Sequence, residues 1–518
     1  MEIKVVKNSR TTSSILNILT ASFGSVMGIL ISFLNRIVFL HFLNATYLGV
    51  SGLFSNILLV FSLIDLGIGS ALTQMFYKPF AEKDYKHLSQ VTYTNKILLN
   101  IIGIIVFILT ILVTPNLEVF VNDINAVPHM RLIFFMYGVS SSSTYFLGYY
   151  RTIITANQEA YKLVKIDNIW KVIGFLFKAI ILAVSRNFIL YLGMEILSNF
   201  LLNVVIRSFV RKQICEIDYN IKEFVPKSEQ KKLMKNVVGV SLNKFANVVT
   251  NGTDNIIISK FLNLATVGLA SNYTLMEQAV NGLVESIFTP LLASIGNLCV
   301  SVDTEEKYKH FKNFSFAAFW LYSFCSIALC VLSDNVIELF FGKEYLISRT
   351  ATFFICFDLF CIGTFRVSTL FRTAQGLFWY GRFRPLLQAV VNLSVSLVLV
   401  SRTHQLWAVY AGTTASRILI TVWYEPLIVL KYSLNKKPWK YYGNLLSYFI
   451  VYFISLYSTN KVVNILSINP FVDLFLGAIV CLILPNAIII VIYYRTEEFK
   501  YWIKFIKELK NKICIMVS

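Results

Sequence analysis

Long apolar runs, separated by short polar breaks, recur from residue 13 to residue 494. Crossing about 30 Å of hydrocarbon takes roughly 20 helical residues, so each run predicts a spanning helix. Fourteen candidate spans follow, near 13–40, 47–77, 91–113, 129–150, 163–184, 187–209, 236–258, 266–297, 313–333, 350–371, 385–401, 404–430, 441–458 and 471–494. The runs at 13–40 and 266–297 exceed the hydrocarbon thickness and must tilt, bend or protrude. The expected fold is all-α and integral to the membrane.

The pattern also repeats. FLNATYLG at 42–49 is echoed by FLNLATVG at 261–268, 219 positions later. Each copy ends a long apolar segment, so each predicts the turn between the first two helices of a unit, with Gly49 and Gly268 opening the second helix. Tyr-Lys-His recurs at 85–87 and 308–310, an offset of 223 that implies a four-residue insertion. NLEVF (116–120) pairs with VIELF (336–340), and Arg151-Thr152 with Arg372-Thr373. Spans 1–6 and 7–12 therefore read as a parallel repeat, two pseudo-symmetric six-helix lobes of the kind transporters use. The expected organisation is an N-lobe at 1–210, a cytoplasmic linker at 211–235, a C-lobe at 236–430, two appended helices at 431–494 and a basic amphipathic tail at 495–518.

Composition supports the membrane reading: 56% of the residues are hydrophobic and only 14% charged, against roughly 25% charged in soluble domains. The net charge of +19 does not point to nucleic acid, because the bases lie in the breaks between apolar runs. Of 47 Lys and Arg, 35 fall on the side that carries the N-terminus, seven opposite, and five inside spans. Positive residues gather on cytoplasmic loops, which predicts both termini in the cytoplasm. In the tail, Phe499, Ile503, Ile506 and Leu509 share one face with lysines opposite, as in a helix lying on anionic membrane lipid. The eight cysteines form no CxxC pair and read as free thiols, and no nucleotide-binding loop, nucleophile elbow or zinc motif occurs. No cofactor is expected beyond a coupling H⁺ or Na⁺.

Charges inside spans are costly and usually face a cavity or a partner. Arg36, Lys178, Lys244, Arg366 and Arg417 are candidates for an anionic headgroup such as pyrophosphate, where Arg gives bidentate hydrogen bonds. Asn35, Asn247 and Asn251 add neutral cavity donors, and Asn243, Asn247, Asn251 and Asp254 share one helix face. Asp254, Glu277 and Glu285 are candidates for ion coupling. The competing reading is structural: interhelical ion pairs, such as Lys244 with Asp254 or Glu277. In LIDLGIGSAL (63–72), Asp65 anchors a contact while Gly67 and Gly69 serve packing or a hinge.

LIDLGIGSAL and TDNIIISKFLNLATVGLASNY (253–273), with Asp254, Val267, Gly268 and Tyr273 in the pattern, resemble the polysaccharide-transport (Wzx-like) branch of the multidrug/oligosaccharidyl-lipid/polysaccharide exporter superfamily. Where that branch often has a base after the Asp, this chain has Asn255. The resemblance implies a flippase of the bacterial plasma membrane. It would carry an undecaprenyl-pyrophosphate-linked oligosaccharide outward by alternating access of two lobes, for capsule, exopolysaccharide or O-antigen assembly. Its implied partners are the lipid-linked oligosaccharide, membrane lipids and a polysaccharide polymerase, with the transporter itself a monomer. An ion-coupled multidrug antiporter of the same fold is the alternative. A lipid-linked sugar polymerase is disfavoured by the short outer loops, so no enzymatic activity is expected.

Overall fold

A computed structural model of the chain describes residues 10–65, 68–157, 159–231, 233, 248, 252–466 and 468–517. Its backbone divides into two compact units, Met1–Gly268 and Leu269–Ser518. The described residues form helices and no strand. Within lipid this is forced, because a helix satisfies its own backbone hydrogen bonds where no water can. Eight described helices are long and apolar enough to cross a membrane, and two shorter apolar segments, Val26–Phe42 and Ala45–Phe61, accompany them.

The first unit contains α1 (Arg10–Phe42), α2 (Ala45–Phe61), α3 (Ile68–Glu82), α4 (Tyr85–Val113), α5 (Met130–Phe146), α6 (Tyr149–Ala156), α7 (Ala160–Ser185), α8 (Phe188–Gln213) and α9 (Asp254–Phe261). Then come α10 (Leu264–Phe288), α11 (Leu291–Ser301), α12 (Thr304–Phe340), α13 (Arg349–Ala374), α14 (Arg384–Thr403), α15 (Leu406–Ser416), α16 (Val422–Tyr432), α17 (Trp439–Leu466), α18 (Pro470–Tyr493) and α19 (Glu497–Val517).

Helix boundaries repeat with the echo. The ends of α1 and α9, the starts of α2 and α10, and the starts of α4 and α12 are each 219 positions apart. The caps repeat too. The Asn44 side chain accepts from the backbone N–H of Thr46 and Tyr47, and Asn263 accepts from Thr266 in the same place. Asp84 caps α4 through His87 N–H, and Asp303 caps α12 through Glu306 N–H. Such caps satisfy donors that the first helical turn leaves open. Helices α7 and α14 both end on a left-handed residue, Arg186 and His404, 218 positions apart. One expectation is corrected here. The Tyr-Lys-His offset of 223 is not an insertion, because the helices that carry it start in register at 219. The match is slipped by one helical turn, which leaves the residues on nearly the same face.

Several single spans read from the sequence are broken. The run at 47–77 is α2, a 3₁₀ turn at Ser62–Asp65, and α3. The run at 266–297 breaks at Pro290, the N-cap of α11, since proline lacks the N–H that would continue α10. The run at 404–430 is α15 and α16 joined through a π turn at Arg417–Thr421. The segment after α8 is strapped to α4: Asp218 N–H donates to Ser89 Oγ at 2.9 Å and Val225 N–H to Thr94 Oγ1 at 3.2 Å.

The two copies of the echo lie against each other. A Cβ on Gly49 would overlap the carbonyl oxygen of Leu264, and one on Gly268 would overlap that of Ala45. Leu264 and Ala45 are themselves 219 positions apart, so the contact is reciprocal. In a bilayer, where lipid is as apolar as leucine, such small-residue crossings hold helices by van der Waals contact. Gly69 differs, because among the described residues a Cβ there would meet nothing within 4 Å. Gly49→Ala or Gly268→Ala should therefore lower stability by about 1–3 kcal/mol, read as a drop in the melting temperature of the detergent-solubilised protein. Gly69→Ala should leave that temperature unchanged or raise it slightly.

Candidate functional site

The first unit holds a cavity of about 440 Å³ among α1, α7 and α8. Two predicted residues line it, Asn35 from α1 and Lys178 from α7. Asn35 Nδ2 donates to Tyr191 Oη at 3.1 Å. The Lys178 ammonium lies 3.7 Å from a Glu195 carboxylate oxygen and 5.4 Å from the Tyr191 ring centroid. Nearer the start of α7, Arg151 makes a two-pronged ion pair with Asp167 at 2.8 and 2.9 Å. Planar guanidinium and carboxylate fit this geometry, which fixes both side chains. The Trp170 indole N–H donates to the Ser198 carbonyl and hydroxyl oxygens at 2.9 and 3.0 Å, which fixes the ring at the cavity wall.

Arg36 does not line this cavity; it is half-buried, with Tyr191 in electrostatic range. Asp254 stands in the first turn of α9, where the positive end of the helix dipole favours a carboxylate. Asp65 closes the 3₁₀ turn after α2. Lys244, Asn247, Asn251 and Gly67 lie outside the described residues.

The second unit gathers the remaining predicted charges, Arg366, Arg417, Glu277 and Glu285, around two guanidinium–carboxylate pairs. Arg366 pairs with Glu285 and reaches Thr289 Oγ1 at 3.4 Å. Arg417, at the start of the π turn, donates to Asp358 at 2.5 Å, and Glu277 sits within electrostatic range of both. A third group was not among the predicted site residues. Glu425, fully buried, pairs with Arg372 at 2.8 Å and Arg384 at 3.2 Å. Arg384 also donates to Thr421 Oγ1 at 3.2 Å, which in turn donates to Gln388 at 2.7 Å. Four acidic side chains thus face four guanidiniums, with one acid more than bases around Glu277 and one base more than acids around Glu425. The sequence held a signal for the third group: Arg372 is the repeat partner of Arg151, and both arginines form ion pairs.

The chain's first half can now be placed. Residues 15–295 match the family model for polysaccharide biosynthesis proteins. The chain belongs to that family. Solved structures agree on the fold. A lipid II flippase, MurJ, in an inward closed conformation is 13% identical, with a TM-score of 0.70 over 93% of this chain and 99% of that one. An inward-facing multidrug resistance MATE transporter of the MOP superfamily is 13% identical, at 0.62 over 77% and 94%. A variant of the Vibrio cholerae MATE transporter VcmN is 14% identical, at 0.56 over 81% and 98%. No curated protein matches the chain in sequence. The family membership and the shared exporter fold agree with the resemblance carried by residues 63–72 and 253–273, and the chain is a multi-pass membrane protein.

The buried Glu425 yields a stability prediction. Glu425→Gln leaves two buried guanidiniums without their counter-ion and should cost about 3 kcal/mol or more. The measurement is thermal unfolding of the purified protein. Combining it with Arg384→Leu should recover part of the loss.

Proposed function

We propose that the chain is a flippase that carries an oligosaccharide linked to undecaprenyl pyrophosphate from the cytoplasmic to the outer leaflet of a bacterial plasma membrane. The supporting observation is the cavity of the first unit, which combines charged groups, amides, hydroxyls and a fixed indole inside a membrane-spanning member of a polysaccharide biosynthesis family. Sugar hydroxyls need dense, oriented donors and acceptors with a flat apolar surface, and an anionic headgroup needs cationic donors. The polyprenyl tail needs neither and stays in lipid. MurJ, a lipid II flippase, has this fold, which makes a lipid-linked substrate the natural reading. The chain binds and moves its substrate; no bond-making step is assigned to it. Both termini face the cytoplasm in this proposal, following the placement of the basic residues. A polysaccharide polymerase acts next on the delivered unit, and the transporter works as a monomer.

Deleting the gene should strip the cell of surface polysaccharide and leave the lipid-linked unit on the cytoplasmic leaflet. Intact surface polysaccharide with heightened sensitivity to cationic dyes would instead establish the multidrug antiporter.

Alternating access requires an outer closure that opens. Here the α4–α5 connection clasps the end of α9. Ser259 Oγ donates to the Phe120 carbonyl at 3.1 Å, Lys260 Nζ donates to that of Glu118 at 3.1 Å, and Asn122 donates to that of Lys260. In a cysteine-free background, Asn122→Cys with Lys260→Cys should cross-link under oxidation and stop transport, and reduction should restore it. Transport at full rate through the cross-linked protein would rule out opening at this place.

The excess carboxylate at Glu277 is the proposed coupling site. Two acids facing one guanidinium leave one negative charge for H⁺ or Na⁺ to neutralise. Glu277→Gln should abolish dependence of transport on an ion gradient, measured in proteoliposomes, and Glu285→Gln, which removes an acid already paired with Arg366, should weaken it less.

A further inference from the structure

We infer that Lys171, rather than Lys178, is the cation that meets the phosphate oxyanion of the carried lipid in the first-unit cavity. This rests on the flippase reading and names the contact and the ligand chemistry. Asp167, Lys171, Gly174 and Lys178 stand at i, i+4, i+7 and i+11 on α7, one helix face, and all four line the cavity. Three bases and two acids line the same wall: Arg151, Lys171 and Lys178 against Asp167 and Glu195. Arg151 is committed to Asp167, and Lys178 to Glu195 and the Tyr191 ring. Among the described residues no carboxylate pairs with Lys171, so the cavity's single positive excess sits on its ammonium.

An anion arriving at Lys178 would have to pull it from Glu195 and strand that carboxylate in low dielectric, a costly exchange. At Lys171 nothing has to be broken. The ammonium lies against the glycine of the facing helix: a Cβ on Gly28 would come within 3.4 Å of the Lys171 Nζ. One and two turns further along α1, Ser32 and Asn35 line the same cavity with neutral polar groups suited to phosphate oxygens or sugar hydroxyls. An ammonium with three rotatable donors and no acceptor suits a headgroup that must be gripped and then released.

Two chemistries share the phosphate oxyanion: a polyprenyl pyrophosphate and an ordinary anionic phospholipid. The test is binding to the full-length protein in nanodiscs, with undecaprenyl pyrophosphate as probe and phosphatidylglycerol as competitor. Lys171→Gln should weaken probe binding about tenfold. Lys171→Arg should retain it, and the melting temperature should not move in either variant. Gly28→Leu keeps the charge but crowds the ammonium, and should weaken binding too. Unchanged affinity in Lys171→Gln overturns the assignment while leaving the flippase reading in place. Equal displacement by phosphatidylglycerol overturns the carrier as ligand and makes this a lipid-headgroup site. Failure of the unaltered protein to bind the probe overturns both the assignment and the flippase reading.

Discussion

The close approach at Gly49 and Gly268 sets the geometry of the first unit. Two helix starts cross with so little space that neither can carry a side chain, and each rests on the other's backbone carbonyl. Hydrophobic burial cannot supply that attraction in lipid, so van der Waals fit must, and glycine is what permits the fit. Around the crossing, Gly52 lies against Asn255 and Val267, and Gly252 against Leu59 and Val60. The Asn44 and Asn263 caps fix where the crossing helices begin. Helix α1 is placed separately, by packing on α7 with Gly24 against Asn168 and Gly28 against Lys171, which puts Ser32 and Asn35 in the wall of the cavity.

Electrostatics in this protein follows a rule of local closure. Arg151, Lys178, Arg366, Arg372 and Arg417 each face a carboxylate. Pairing lowers the cost of carrying charge in lipid but spends the cations that a substrate would otherwise find. What remains for chemistry is the remainder: a lysine in the first unit, a carboxylate beside Arg417 in the second, and a surplus guanidinium at Glu425. The π turn that carries Arg417 belongs with this pattern, since such turns recur where a helix must re-aim side chains at a functional position.

Much of this was legible in the chain. Hydropathy alone gives the membrane fold, and the FLN…G echo gives the repeat and its register. The sequence marks Asn35 and Lys178 as polar groups within spans, and the structure puts both in the wall of one cavity. Pairing was harder to see, because Asp358 and Arg417 are 59 positions apart and meet only through the fold. Lys171 was hidden for a different reason. Counted with the loop bases that set topology, it reads as a cytoplasmic charge, although its spacing from Asp167 and Lys178 places it on the cavity face. The slip at Tyr-Lys-His is of the same kind: residue identity misled where helix boundaries would have decided.

Helix α19 is fastened to α12 at several points. The Trp502 indole N–H donates to the Asn313 carbonyl at 2.9 Å, Glu498 pairs with Lys312 at 3.2 Å, and Phe499 stacks on Trp320. Trp320 also donates to Asn486 in α18 at 2.7 Å. Helix α12, early in the second unit's sequence and packed also on α13, is thus clamped by a residue 189 positions further along the chain. A single indole, that of Trp320, therefore couples three helices, α12, α18 and α19, so that loosening any one of them loosens its hold on the other two.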